Sequence, residues 1–309
     1  MKHELGASSS RPSDFGSFWY TVGRELSDIS PSVEEEWIPL RSTDYADLYG
    51  VRLQSLGAYS IFGYLSVPKK QGPHPAIYYV PKNGSVLEII PQGTANQIRE
   101  RYMILSIACR GMRNSDTPYV ATYPGQLVDG VDNPLTYVYR SVIADALRGL
   151  DYLVQREDVD TRRILVYGND IALLVGALHG AATHLVTRPA YFFDSIPNAI
   201  RTSTYPLEEF NDFLQCYPGK AENVTNTLEY FNLRWHSSAV TAETLIMAEP
   251  AGGAYSLEIL RDLESEMTSD VTMYESRNST YKDGMYVERW ITDRLVGTDS
   301  TAILPNCWN

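Results

Sequence analysis

The chain has 309 residues, with 26 lysines and arginines against 38 aspartates and glutamates, so its formal charge is −12; 44% of it is hydrophobic and 21% charged. That balance is ordinary for a folded protein and excludes disorder over most of the length. The acidic excess argues against nucleic acid as a partner, and no apolar run approaches the roughly 20 residues of a membrane-spanning helix.

Residues 1–13 are polar and Ser/Pro-rich and read as a flexible tail, leaving 14–309 as one domain. Met1 to Ala7 has no apolar signal core, so the expected location is cytoplasmic. Asp14 reads as the N-cap of a helix carrying Phe15, Phe18, Trp19, Val22 and Leu26 on one face. Glu34-Glu35-Glu36 reads as a solvated run before a strand at 37–41, and residues 49–67 as two paired strands around a turn at Gly57. The short apolar runs at 75–80 and 103–108 have the composition of buried strands, and 111–134 that of a long surface loop. A helix over 137–156 is followed by a strand at 164–167, the turn Gly168-Asn169-Asp170-Ile171-Ala172 and an apolar helix from 172 to about 184. A strand over 185–193 comes next, then polar helices between 206 and 236, strands at 244–248 and 270–274, and helices over 257–267 and 281–296. Buried strands alternating with helices predict an α/β fold, a mostly parallel sheet covered on both faces, with an N-terminal helix and hairpin extension.

Cys109, Cys216 and Cys307 make no metal-ligand spacing, and nothing in the sequence requires a metal or a cofactor. The turn after the 164–167 strand is more informative. A strand, G-x-S-x-G and a helix form the elbow that presents the nucleophile of α/β hydrolases. Here Asp170 stands at the serine position and Ala172 at the second glycine.

Other stretches point the same way. They are Asp14-Phe15 with Phe18-Trp19, Gly63 to Pro68, Gly72-Pro73-His74-Pro75-Ala76, Arg110-Gly111, and Tyr137 to Arg140 with Asp145-Ala146. Val159-Asp160 with Arg163-Ile164, Tyr205-Pro206-Leu207, Tyr217-Pro218 and Thr227 to Phe231 continue the series. On these residues 14–290 resemble the acetyl xylan esterase/cephalosporin C deacetylase family, carbohydrate esterase family seven. The resemblance implies an α/β hydrolase fold, a carbohydrate or other small-molecule ligand, and a trimer- or hexamer-forming chain or one that associates with an active paralogue.

The resemblance also places the family's catalytic positions, and nearly all of them are changed. The nucleophile position is Asp170 and the two oxyanion positions are Ile171 and Lys82. The acid position is Pro250, beside Glu249, and the histidine position is Ser279. The five histidines are His3, His74, His179, His184 and His236, and none follows the last strand. A serine esterase needs nucleophile, base and oxyanion donors together. The expectation is therefore a non-catalytic family member that binds a ligand or a partner subunit, with Lys82, Asp170 and Trp235 as candidate ligand contacts. The alternative is an active hydrolase, either a deacetylase with unusual residues or one in which Asp170 forms an alkyl-enzyme ester. Lys82 and Asp170 are opposite in charge at facing positions, which predicts an ion pair filling the old cleft.

Overall fold

The computed structural model describes residues 10–82, 97–122, 124–301 and 303. Among the described residues the nine strands are β1 (Glu34–Trp37), β2 (Ala46–Ser55), β3 (Tyr59–Pro68), β4 (His74–Tyr79), β5 (Met103–Ala108), β6 (Val159–Gly168), β7 (His184–Thr187), β8 (Glu243–Ala248) and β9 (Val271–Glu275). The helices are α1 (Phe15–Ser27), α2 (Gln97–Arg101), α3 (Val138–Val154), α4 (Asp170–His179), α5 (Ser195–Ala199), α6 (Glu208–Cys216), α7 (Ala221–Glu229), α8 (Leu233–Ser237), α9 (Leu257–Ser265) and α10 (Thr280–Leu295). All strands join one sheet in the order β1-β2-β3-β5-β4-β6-β7-β8-β9. The pairs β1–β2, β2–β3 and β3–β5 are antiparallel, and every pair from β5 to β9 is parallel. This is the mostly parallel α/β hydrolase sheet with a hairpin extension at one edge.

The period of two along each strand builds two cores. Ala76 and Tyr78 of β4, Met103 and Leu105 of β5, and Ile164 and Val166 of β6 face the larger one, under α1, α3 and α4. Ile77, Ile104 and Leu165 face the other, closed by Val287, Trp290, Ile291 and Leu295 of α10. All five α1 residues picked out by spacing are buried, each worth about 1.5–3 kcal/mol relative to exposure. Trp19 also donates its indole N–H to the Tyr230 carbonyl at 3.0 Å, which ties α1 to the segment before α8.

Several boundaries differ from the sequence expectation. Asp14 precedes α1 but makes no side-chain cap; its carboxylate accepts the Tyr230 hydroxyl at 2.6 Å instead. The Glu34–Glu36 run is itself strand β1, not the segment before one. Glu35 there accepts from the Tyr152 hydroxyl and from Arg156, at 2.6 and 2.7 Å. Helix α4 stops at His179, where Gly180 takes the left-handed conformation at φ 71°, so His184 lies on β7 and not on the helix. The 111–134 stretch is not confined to the surface: Leu127 is buried and donates its N–H to Glu209 at 2.9 Å.

Candidate functional site

Parallel α/β sheets place their sites beyond the carboxyl ends of the strands, here the tips of β4, β6, β7, β8 and β9. At the tip of β6, Gly168 leaves no room for a side chain, because a Cβ would meet Val80 and Ala172. The chain turns through Asn169 into α4, whose first residue is Asp170. Asp170 is fully buried. Its Oδ2 accepts the Ala190 N–H at 2.8 Å, and its Oδ1 accepts the N–H groups of Phe192 at 2.7 Å and Tyr191 at 3.2 Å. Burial pushes the carboxyl up to about 6, and the three amides restrain that rise. Its φ is not positive, so the strained backbone that would lift a nucleophile into a cleft is absent. The side chain at the elbow points inward and holds the turn after β7.

The expected Lys82–Asp170 ion pair does not form. Lys82 is exposed beyond β4, and among the described residues the partners of the Asp170 carboxylate are the three backbone amides. Ile171 is buried in the larger core. Ser279, at the histidine position, is the N-cap of α10 and its Oγ accepts from the Lys282 N–H at 3.3 Å. Trp235 packs on the larger core and donates its indole N–H to Glu229 at 2.7 Å.

Glu249 and Pro250 do sit at a tip, that of β8, and both are half-buried. Glu249 Oε2 accepts the Tyr255 N–H at 3.1 Å, and the Glu249 N–H donates back to the Tyr255 carbonyl at 2.9 Å. Glu275 at the end of β9 accepts the Ala251 N–H at 2.9 Å and stitches the two loops together. Between this loop and residues 190–207 lies a cavity of about 290 Å³, lined by Glu249, Tyr255, Asn198, Arg201, Thr204 and Tyr205 among others. Of these, the sequence had singled out Glu249 and the Tyr205-Pro206-Leu207 stretch. Nothing in the local pattern marked Asn198 or Arg201, because the loop that carries them is assembled by tertiary contacts.

The acetyl xylan esterase (AXE1) family model matches residues 3–249. The chain belongs to the acetyl xylan esterase family. It is 26% identical over 184 residues to the acetyl esterase Axe7A of Xylanibacter ruminicola, a match that covers 57% of this chain and 40% of that protein's length. Among solved structures, the acetyl xylan esterase of Paenibacillus sp. R4 superposes with a TM-score of 0.79 at 20% identity, over 94% of this chain and 97% of that one. Acetyl xylan esterase 1 of Thermoanaerobacterium sp. JW/SL YS485 gives 0.78 at 17% identity, over 88% and 89%. At these identities the superpositions establish the fold.

In this acetyl xylan esterase family member no described histidine stands at the carboxyl edge of the sheet. His74 and His184 open β4 and β7, at the opposite end. His179 closes α4, where its Nε2 lies 2.9 Å from an Asp151 oxygen, about 13 Å along the helix from Asp170 at 1.5 Å per residue. His236 is fully enclosed between Phe15 and Trp19, with ring centroids at 4.8 and 5.5 Å. Its Nε2 lies 3.0 Å from the Tyr230 carbonyl, and burial lowers its pKa to about 4. The rings of His179, His184 and His236 are each held in a structural contact, and His74 is buried at the start of β4. Tyr139, Tyr191 and Phe192 fill the space beside the elbow, with Tyr139 and Phe192 packed edge to face at 5.0 Å. Among the described residues no cluster of three or more His, Cys, Asp or Glu side chains is arranged to hold a metal ion, and no helix is long and apolar enough to cross a membrane.

Proposed function

We propose that this protein is a non-catalytic member of the acetyl xylan esterase family that binds a small ligand at the carboxyl ends of β7 and β8. The observation that carries this reading is the enclosure of Asp170. The residue at the nucleophile position has no access to solvent, and backbone amides occupy both its oxygens. An aspartyl ester forms only if a carboxylate oxygen reaches the substrate, and its hydrolysis requires a water activated by a base. The described histidines lie away from the elbow, at the starts of β4 and β7, at the far end of α4 and beneath α1. What persists at the strand tips is a cavity with polar and apolar walls, the usual form of a small-molecule site.

The test uses the purified chain with para-nitrophenyl acetate and with acetylated xylo-oligosaccharides, beside Asp170→Asn. The expected result is hydrolysis at the buffer rate for both proteins. Turnover by the wild type that Asp170→Asn abolishes would overturn the reading and restore Asp170 as a nucleophile.

A further inference from the structure

We infer that the cavity between residues 190–207 and the β8–α9 loop takes a small organic monocarboxylate, its anionic end at Arg201 and a second oxygen at the Tyr255 hydroxyl. This rests on the ligand-binding reading above and gives the ligand a chemical class.

Two walls of the cavity carry unused donors. Tyr255 is 1% exposed and lines the cavity, and its hydroxyl makes only a loose contact with the Asn198 side chain of the same wall, short of a hydrogen bond. A buried donor left unpaired is costly, and an oxygen supplied by a ligand removes that cost. Arg201 lines the same cavity and is exposed. No ion pair or side-chain hydrogen bond engages its guanidinium among the described residues, whereas Arg110, Arg140, Arg148, Arg156 and Arg234 each pair with a carboxylate. A guanidinium fork matches a carboxylate with two parallel N–H bonds.

The remaining lining narrows the class. Glu249 contributes a carboxylate to the same small cavity, already accepting from the Tyr255 N–H. A dianion such as a phosphate monoester meets that charge at close range, whereas a monocarboxylate balances Arg201 and adds no second charge beside Glu249. Leu207, Ile259 and Ala190 supply an apolar wall for the body of the ligand. At about 290 Å³ the space lies just below the usual range of small-molecule sites, ~300 to 1,000 Å³, which suits a small ligand.

Titration calorimetry on the full chain tests this with three probes of similar shape: benzoate, its neutral amide benzamide, and phenyl phosphate. Benzoate is expected to bind at least tenfold more tightly than either of the others. Arg201→Gln should weaken benzoate about tenfold and leave benzamide unchanged. Tyr255→Phe keeps the ring and removes a hydroxyl whose protein contact is the loose one with Asn198, so it should fold with near-wild-type stability while weakening benzoate several-fold. Benzamide binding as well as benzoate, with Arg201→Gln silent, would overturn the carboxylate assignment and leave the ligand-binding reading standing. Phenyl phosphate binding more tightly than benzoate would overturn the monoanion assignment. Binding by none of the three overturns both this inference and the ligand-binding reading, whereas esterase turnover bears only on the non-catalytic part of the proposal.

Discussion

Two buried aspartates on this scaffold are neutralised in different ways. At the end of β5, Arg110 meets Asp145 of α3 through its backbone N–H at 2.9 Å, Nε at 2.9 Å and a terminal nitrogen at 2.7 Å. The same guanidinium reaches the Leu56 carbonyl at 3.0 Å and lies over Tyr59, 4.6 Å from the ring centroid. At the end of β6, Asp170 is equally buried but has no cation, only three backbone amides. The first pair lies in stretches where the chain keeps its family's wording, and the second stands where that wording is lost. The retained residues fasten β5, α3 and the β2–β3 turn. The replaced one has become a fastener too, for the turn after β7. Family likeness here resides in what holds the sheet and its helices together.

Breaking the first aspartate should cost most. Asp145→Asn leaves the Arg110 guanidinium, 11% exposed at its side chain, without its counter-charge. Removing one partner of a buried pair typically costs about 3–5 kcal/mol, measurable as a lowered urea midpoint.

The second effect is on pH dependence, and its sign separates two buried groups. Asp170 is raised in the folded state to about 6 from its ordinary 3.8. Its contribution to stability is therefore full below about 4 and is lost as pH rises to about 6. His236 is lowered to about 4 from 6.5, so its contribution is present above about 6.5 and is lost as pH falls towards 4. Each term is on the order of 3 kcal/mol, and in the wild type they nearly cancel between pH 4 and 6. Relative to wild type, Asp170→Asn should gain stability as pH rises through that window, and His236→Phe should gain it as pH falls. Denaturation curves at pH 4.5 and 6.5 that move in the same direction for both variants would falsify these assignments.

At pH 7 Asp170→Asn should itself destabilise by about 1–3 kcal/mol, because an amide offers one acceptor oxygen to three donors and sets its own NH₂ against one of them. Loss of hydrogen-exchange protection at Ala190, Tyr191 and Phe192 would locate the effect. The smallest expected change is in activity. Asp170→Ser should give hydrolysis of para-nitrophenyl acetate at the buffer rate, because no base stands beside it. A measurable rate in that variant would reveal a base not identified among the described residues.

Much of the scaffold was legible because its signals are periodic and local. The α1 stripe, the β4 and β5 runs and the Gly57 turn, with φ 71°, follow from spacing and from a residue free to take left-handed backbone. The 185–193 apolar run was not resolved by composition. Strand β7 ends at Thr187, and Pro189 then diverts the chain so that residues 190–192 can turn their amides onto Asp170. A proline inside a strand-like run was the available sign. The Lys82–Asp170 pairing failed for a different reason. Sequence position brought both residues to the site, but the direction of the Asp170 side chain is set by the backbone donors beneath it. The histidines were legible in number and not in role: His236 is the least plausible base once the α1 aromatics are seen around it.

The acidic run at the start of the chain has a consequence beyond folding. Glu34, Glu35 and Glu36 form β1, the outermost strand, and all are exposed. An outer strand leaves half its peptide groups open to another chain. A second copy approaching edge to edge would set its own Glu34 and Glu36 against these, Glu35 being paired with Arg156, and like charges directly opposite one another repel. The sheet thus ends in a fence of charge, which turns aside open-ended stacking of copies along this edge.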